Sequence, residues 1–181
     1  ENYFCEHFSN RYFTKFYGFV IEEEDEIIGY IYEYMCNGTL SKYLTSNKDN
    51  NDEIFTLISM IRISQGMKYL NASSFIHRDL KPENILLDHD YLPYISDFDQ
   101  IKLLNNANSS NNFTNDIGSI LYSSPEQDNG EKLSFQTDIF SFGLIIYFLY
   151  EKENLLNGKK YLCGNEKNSI QIPLKAQIPK N

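Results

Sequence analysis

The sequence has only three cysteines in 181 residues and fewer basic than acidic side chains. Cys5, Cys36 and Cys163 are too few and too scattered for a disulfide framework or a paired-cysteine zinc site, which predicts a reducing, cytoplasmic compartment. The 25 acidic and 16 basic residues give a net charge of −9, so the chain lacks a basic surface large enough to neutralise a run of phosphates. We therefore expect no nucleic-acid partner.

Long hydrophobic runs and a secretory leader are also missing. The longest strongly apolar stretch, residues 139–150, has 12 residues, whereas a membrane span needs about 20. The chain starts at Glu1 without a basic segment followed by an apolar one, so we expect no membrane span, no secretory signal and a start inside a longer reading frame. What is present is the 41% hydrophobic content of a globular domain that buries a core.

Hydrophobic patterning in the first third of the chain predicts strands and then helices. Aromatic and β-branched residues in 11–34, interrupted by the acidic run 22–26, predict a β-hairpin. A polar turn at 36–39, with a candidate N-cap, precedes a short predicted helix at 40–44. Apolar residues at helical spacing in 53–70 predict the first long helix.

The remaining pattern predicts a small hairpin and a second long helix. Two short apolar runs, 85–87 and 94–95, flank a polar turn and are typical of strands. Residues 135–150 are apolar nearly all round, which predicts a helix that is buried on every side.

One loop concentrates reactive side chains. Within the stretch His77-Arg78-Asp79-Leu80-Lys81-Pro82-Glu83-Asn84, a carboxylate, an ammonium group and an amide lie within six residues. Phosphoryl transfer needs a carboxylate to accept a hydroxyl proton, a cation to offset charge on the moving group, and oxygen ligands for Mg²⁺. Asp79, Lys81 and Asn84 can supply these in that order. Asp97 follows the second short strand, and the hairpin can return it beside Asn84 to share the metal ion.

These motifs, in this order, resemble the eukaryotic protein kinase family. The stretch 118–126 is similar to the end of that family's activation segment, with Ser124 replacing the usual alanine before Pro125-Glu126. Asp138, in the stretch 137–143, matches the family's buried aspartate that anchors the catalytic loop. The resemblance implies an α+β, protein-kinase-like fold with a partial small β lobe and an incomplete, mainly helical large lobe.

The same resemblance implies the domain organisation. Residues 1–32 would be a remnant of the small lobe, 33–38 the hinge, 39–150 the core of the large lobe with catalytic loop and activation segment, and 151–181 an incomplete tail. The large lobe would lack its last helices, so we expect apolar faces of both long helices to lie partly uncovered. Glu126 would lack the arginine that normally pairs with it.

The resemblance also implies site residues. Asp79 would be the catalytic base, Lys81 the charge stabiliser, and Asn84 and Asp97 the Mg²⁺ ligands. Side chains or backbone groups of the hinge and of the strand below it would bind ATP: Glu33, Met35 and Leu86, with Tyr32 as gatekeeper.

Further positions would have structural or regulatory roles by the same resemblance. His77 and Phe98 would stack in the apolar spine with Phe16 above them, and Arg78 would bind a phosphate on the activation segment, for which Ser109, Ser110 and Thr114 are candidates. Counting back from the loop near Asn10 puts Glu1 at the helix glutamate of the family. Ser119 would position Asp79 and Lys81. Cys36, beside the hinge, is expected to be a half-buried, unreactive thiol.

Two departures from the family pattern keep two hypotheses open. The chain contains neither the Gly-rich loop nor the strand lysine of the family, and Asp99 replaces the glycine after Asp97-Phe98. The first hypothesis is a protein serine/threonine kinase, since Lys81 stands two residues after Asp79, acting on ATP and a protein substrate, with this chain alone inactive. The alternative is a pseudokinase, a scaffold or allosteric module that works through regulatory protein partners. Besides these two hypotheses, a defective gene fragment stays open as a third possibility.

Overall fold

The computed structural model describes residues 2–22, 26–50, 52–104 and 121–152 of the chain. An N-terminal β-hairpin is followed by a larger, mainly helical part, which is the α+β class that the sequence indicates. The helices are α1 (Asn2–His7), α2 (Leu40–Ser46), α3 (Glu53–Ala72), α4 (Pro125–Asp128) and α5 (Phe135–Glu151). The strands are β1 (Phe16–Ile21), β2 (Ile27–Tyr32), β3 (Phe75–Ile76), β4 (Ile85–Leu87), β5 (Pro93–Ile95) and β6 (Lys102–Leu103), and a 3₁₀ turn (Pro82–Asn84) leads into β4.

The N-terminal hairpin confirms the prediction from the aromatic and β-branched pattern. Strands β1 and β2 are antiparallel, with Phe16 opposite Tyr32 and Phe19 opposite Tyr30. The rings of these residues pack on one another, since Phe16 lies 4.9 Å from Phe19 and 5.5 Å from Tyr32 between centroids. Cross-strand aromatic pairs of this kind are a main source of stability in a two-stranded sheet.

Both helices predicted in the middle of the chain are present, and each begins at a side-chain cap. Thr39 Oγ1 accepts a hydrogen bond from the Lys42 N–H at 3.2 Å at the start of α2. Asp52 Oδ1 accepts one from the Phe55 N–H at 2.9 Å at the start of α3. These acceptors satisfy N–H groups that have no partner within the helix.

The small hairpin of β4 and β5 brings the segment that follows β5 back to Asn84, at the end of the reactive loop. The strands pair antiparallel, and Asp88 Oδ1 closes the turn by accepting hydrogen bonds from the N–H groups of Asp90 and Leu92, both at 2.9 Å. After β5, Ser96 donates to the Asn84 carbonyl oxygen from its N–H and from its Oγ, each at 2.9 Å. The return of the chain beside Asn84 is therefore as the sequence predicts.

The core lies where α3 packs on the small hairpin and on α5. Ile63 of α3, Ile95 of β5 and Ile145 of α5 are each at most 1% exposed. Gly66 allows the close approach of α3 to β5, because a Cβ there would lie 2.7 Å from Ile95 Cδ1 and 3.3 Å from the Phe13 ring.

The end of α5 is tied to the loop that precedes α3. Lys152 is 8% exposed, and its Nζ donates to the carbonyl oxygens of Asn47 and Lys48, at 3.3 Å each, and of Asn50. These hydrogen bonds join residues about a hundred positions apart and attach the C-terminal end of α5 to this loop.

The prediction that the second long helix is buried on every side is wrong. In α5, Ile139 is 58% exposed and Tyr150 is 49% exposed, because α3 covers only one side of the helix. On α3, Ile54 and Leu57 are likewise exposed, which confirms the expectation of partly uncovered apolar faces. Within the described ranges, no helix is both long enough and apolar enough to span a membrane.

Candidate active site

A buried carboxylate in α5 holds the backbone of the reactive loop. Asp138 is 5% exposed; its Oδ2 accepts a hydrogen bond from the His77 N–H at 2.8 Å, and its Oδ1 accepts one from the Arg78 N–H at 2.9 Å. Burial raises the pKa of Asp138, while the backbone N–H groups of His77 and Arg78 and the side chains of these two residues act in the opposite direction. The family resemblance implies this contact, whereas no local pattern could, because it joins positions about sixty residues apart.

Asp79 lies at the centre of the site, and two side chains orient it. Its Oδ2 accepts hydrogen bonds from Lys81 Nζ and from Asn84 Nδ2, both at 2.9 Å, and Asn84 Nδ2 also donates to the Asp79 carbonyl oxygen at 2.8 Å. The side chains of Lys81 and Asp79 are only 9% and 13% exposed, so the ion pair is largely shielded from water. Among the described residues, nothing donates to Asp79 Oδ1, which leaves this oxygen available to an incoming hydroxyl.

The local sequence explains this geometry. Pro82 starts the 3₁₀ turn, where a residue without an N–H is well tolerated, and the Asn84 N–H donates to the Lys81 carbonyl oxygen at 2.9 Å. The turn therefore brings the Asn84 amide back onto Asp79.

Asp97 follows β5, and the nearby carboxylates of Asp99 and Asp79 affect its ionisation. Its backbone is in the left-handed region, with φ of 62°. Loss of hydration raises the pKa of Asp97, and the carboxylates of Asp99 and Asp79 raise it further, while His77 acts in the opposite direction.

These residues fit a Mg²⁺ ion. The Asn84 amide nitrogen is used by Asp79, which leaves the amide oxygen as a ligand, and the solvent-accessible carboxylate of Asp97 provides a second hard oxygen. In the part of the chain that the structure describes, no group of three or more His, Cys, Asp or Glu side chains could hold a metal on its own. The donor set thus suits an ion that takes its other ligands from water and phosphate oxygens, as Mg²⁺ does.

The segment proposed as the hinge is bonded to β4. The Met35 carbonyl oxygen accepts from the Gly38 N–H at 3.1 Å, the Asn37 N–H donates to the Leu87 carbonyl oxygen at 3.2 Å, and the Leu87 N–H donates to the Gly38 carbonyl oxygen at 2.8 Å. This pairing holds Leu86, the central residue of β4, next to the hinge.

The residues at the start of the hinge contact earlier parts of the chain. The Tyr32 hydroxyl lies 3.1 Å from the buried thiol of Cys5, and the Glu33 N–H donates to the Lys15 carbonyl oxygen at 2.8 Å, so both residues are tied to segments that precede the hinge.

Cys36 is exposed, and the prediction of a half-buried thiol is wrong. Sequence pattern could not show this, because the hinge has no regular period that separates a buried from an exposed side.

An aromatic cluster holds Phe98 beside the reactive loop. Phe98 is 2% exposed, and its ring centroid lies 4.8 Å from Phe4, 5.3 Å from Phe13 and 5.5 Å from His77. Phe16, which we expected above this pair, packs within the N-terminal hairpin instead. Phe4 and Phe13 take its place, and the only sequence signal for Phe4 is its spacing of four residues from Phe8.

The end of the activation-segment stretch is a capped turn against the reactive loop. Ser124 caps α4 in a reciprocal arrangement with Gln127, whose Nε2 donates to the Arg78 carbonyl oxygen at 2.8 Å. Glu126 does have a partner, since its Oε1 accepts from the Thr137 hydroxyl at 2.9 Å. Sequence reasoning missed Gln127, because a lone glutamine carries no motif. Glu1 and Ser119 lie outside the described residues.

The fold and the anchored reactive loop define a kinase-like domain. A family model described as protein tyrosine and serine/threonine kinase matches residues 1–163. The chain therefore belongs to the protein kinase family.

Similar proteins include receptor-type and other plant kinases. The chain is 32% identical to the PR5-like receptor kinase of Arabidopsis thaliana over 162 residues, which cover 86% of this chain and 24% of that protein. It is 38% identical to the cysteine-rich receptor-like protein kinase 6 of Oryza sativa subsp. japonica over 138 residues, which cover 71% and 19%. Serine/threonine-protein kinase CDG1 of Arabidopsis thaliana is 29% identical over 163 residues, covering 87% and 37%. The chain thus spans less than two fifths of the length of each of these relatives.

Proposed function

We propose that this chain forms the main part of the catalytic centre of a protein serine/threonine kinase, which transfers the γ-phosphoryl group of ATP to a protein hydroxyl with Mg²⁺. The observation that carries the proposal is the orientation of Asp79 by Lys81 and Asn84, each 2.9 Å from the same carboxylate oxygen. Within the described ranges no group donates to the other oxygen, Oδ1, as suits a carboxylate that accepts a proton.

The reaction follows from this geometry. The substrate hydroxyl attacks the γ-phosphorus while its proton passes to Asp79 Oδ1, and the bond from the γ-phosphorus to the bridging oxygen breaks to release ADP. Lys81 Nζ, held at Oδ2, offsets charge on the phosphoryl group in transit. Mg²⁺, bound by Asn84 and Asp97, would supply positive charge at the phosphates.

The hinge segment and the spacing in the catalytic loop support a proposal for the nucleotide and the substrate. By the family resemblance, backbone groups of Glu33 and Met35 would bind adenine, with Leu86 below it. The hydrogen bonds between residues 37–38 and Leu87 support this proposal, because they join the hinge segment to the strand that contains Leu86. The spacing of Lys81 after Asp79, together with the name of the CDG1 relative, favours serine and threonine over tyrosine. A reducing compartment that holds ATP, the cytoplasm, suits the low number of cysteines.

The Arg78 side chain supports regulation by phosphorylation. Its Nε is buried and has no hydrogen-bond partner within the described ranges, and burial lowers its pKa while Asp138 acts in the opposite direction. A phosphate on the activation segment would satisfy this donor with a bidentate contact.

The second candidate function is a pseudokinase that binds regulatory proteins. Asp99 favours it, because its carboxylate adds to those of Asp97 and Asp79 and raises the pKa of Asp97. Three neighbouring carboxylates repel a triphosphate unless a cation offsets them.

The test is phosphate transfer by the full-length protein from labelled ATP and Mg²⁺, followed by phosphoamino-acid analysis. Asp79→Asn should lower the rate by about 10²-fold or more, since a positioned base contributes about that much. Asp90→Asn is the matched control, because Asp90 lies on the exposed turn after β4. Label on serine or threonine supports the proposal, label on tyrosine corrects the substrate class, and no transfer at all favours the pseudokinase.

A further inference from the structure

The residue before the proposed base, Arg78, is held at both of its backbone polar groups by buried side chains. Arg78 has φ of 72°, a region that a non-glycine residue occupies only when its surroundings hold it there. Its N–H donates to Asp138 Oδ1 at 2.9 Å, and its carbonyl oxygen accepts from Gln127 Nε2 at 2.8 Å. The direction of the chain into Asp79 therefore depends on both contacts.

Gln127 uses both ends of its amide. The residue is 3% exposed, and its Oε1 accepts from the Ser124 N–H at 3.0 Å while its own N–H donates to Ser124 Oγ at 3.4 Å. This reciprocal cap could equally be made by a glutamate, which is the common alternative at this helical position. The donor to the Arg78 carbonyl is what only the amide supplies, because an ionised carboxylate has no N–H or O–H to donate.

We propose that Gln127 is a positioning residue, which couples the capped turn at the end of the activation segment to the orientation of Asp79. Formation of the α4 cap then presents the amide to the Arg78 carbonyl, so that the segment end and the catalytic loop become ordered together. The catalytic meaning of this coupling rests on the proposed kinase function, whereas the ordering of the loop does not.

The experiment compares variants of the full-length protein that separate the cap from the contact with Arg78. Gln127→Glu keeps the cap acceptor and loses the donor, Ser124→Ala weakens the cap and keeps the donor, and Gln127→Met removes both without adding charge. Gln65→Glu, at an exposed position of α3, is the control for one added negative charge. Each variant is measured by thermal unfolding, by amide exchange of residues 77–80, and by kcat and KM for ATP.

We expect Gln127→Glu and Gln127→Met to speed amide exchange of residues 77–80 about tenfold or more relative to the Gln65→Glu control. Their kcat should fall by about tenfold with little change in KM for ATP, since a displaced base slows chemistry and leaves the adenine contacts intact. Ser124→Ala should lower the unfolding temperature while changing exchange and kcat less.

Wild-type exchange rates in both Gln127 variants would overturn the proposal, as would equal effects of Ser124→Ala on every readout. Failure of both Gln127 variants to fold would also overturn it, because the residue would then be needed for the fold as a whole. If the wild-type protein transfers no phosphate, the kinase proposal fails, and the exchange data still decide whether Gln127 orders the loop.

Discussion

Two glycines in the long helices should respond in opposite directions to the same substitution. Gly66 of α3 faces β5, where an added Cβ would lie 2.7 Å from Ile95 Cδ1 and 3.3 Å from atoms of Phe13 and Tyr12. Gly143 of α5 is exposed, and outside the helix's own backbone no atom of the described residues lies within 4 Å of the Cβ that alanine would add.

The magnitudes follow from two competing effects. Alanine in place of glycine within a helix stabilises the folded state by up to about 1 kcal/mol. Overpacking of a filled core costs about 1–3 kcal/mol, and Ile95 is only 1% exposed, so its methyl group cannot move out into solvent. Gly143→Ala should therefore raise the free energy of unfolding by up to about 1 kcal/mol, whereas Gly66→Ala should lower it by about 1 kcal/mol.

Urea unfolding of both variants, with the m-value checked against that of the wild-type protein, measures the difference. A difference of about 2 kcal/mol between the two variants is expected, and it isolates the packing cost because the change in chemistry is the same. Equal stabilisation by both substitutions would refute the close packing of α3 on β5.

Three further outcomes can be checked separately. Asp138→Asn should lower the free energy of unfolding, measured in urea, by about 1–3 kcal/mol. The two oxygens of Asp138 each accept a hydrogen bond from a backbone N–H, and in the variant one of these N–H groups would face an amide NH₂ that cannot accept. Asp99→Gly should lower the pKa of Asp97, measured by carboxyl NMR titration without Mg²⁺. A carboxyl whose pKa is higher in the folded than in the unfolded state makes the protein less stable as pH rises from about 4 to the folded pKa. The variant should therefore lose less free energy of unfolding over this pH range than the wild-type protein, and an unchanged titration of Asp97 would contradict the prediction. In a Cys163→Ser variant, Cys36 should react with a thiol reagent much faster than Cys5, which is 7% exposed. Equal rates would contradict the exposure of Cys36 at the hinge.

Local signals in the sequence were sufficient to predict the elements that carry the site. The candidate N-cap in 36–39 predicts α2, and the apolar spacing in 53–70 predicts α3, since these patterns depend only on neighbouring residues. The return of Asp97 beside Asn84 was also predictable, because a hairpin of two short strands allows few geometries.

What the sequence could not show depends on contacts between distant positions. The all-round apolarity of α5 reports the character of its side chains, and it does not report which sides another element covers; hence Ile139 is exposed. Gln127 reaches a carbonyl 49 positions earlier in the chain, and no local period indicates such a contact. The rings beside Phe98 are those of Phe4 and Phe13 and not that of Phe16. The sequence could not show this, because ring contacts between elements depend on how these elements pack.

The anchoring of Arg78 through its backbone has an evolutionary consequence. Asp138 and Gln127 bind its N–H and its carbonyl oxygen, groups that almost every amino acid supplies in the same place. Selection could therefore change the side chain at position 78, and with it any contact that this side chain makes, without having to rebuild the support of Asp79. The loop around Asp79 can keep its backbone geometry while the side chain beside it varies.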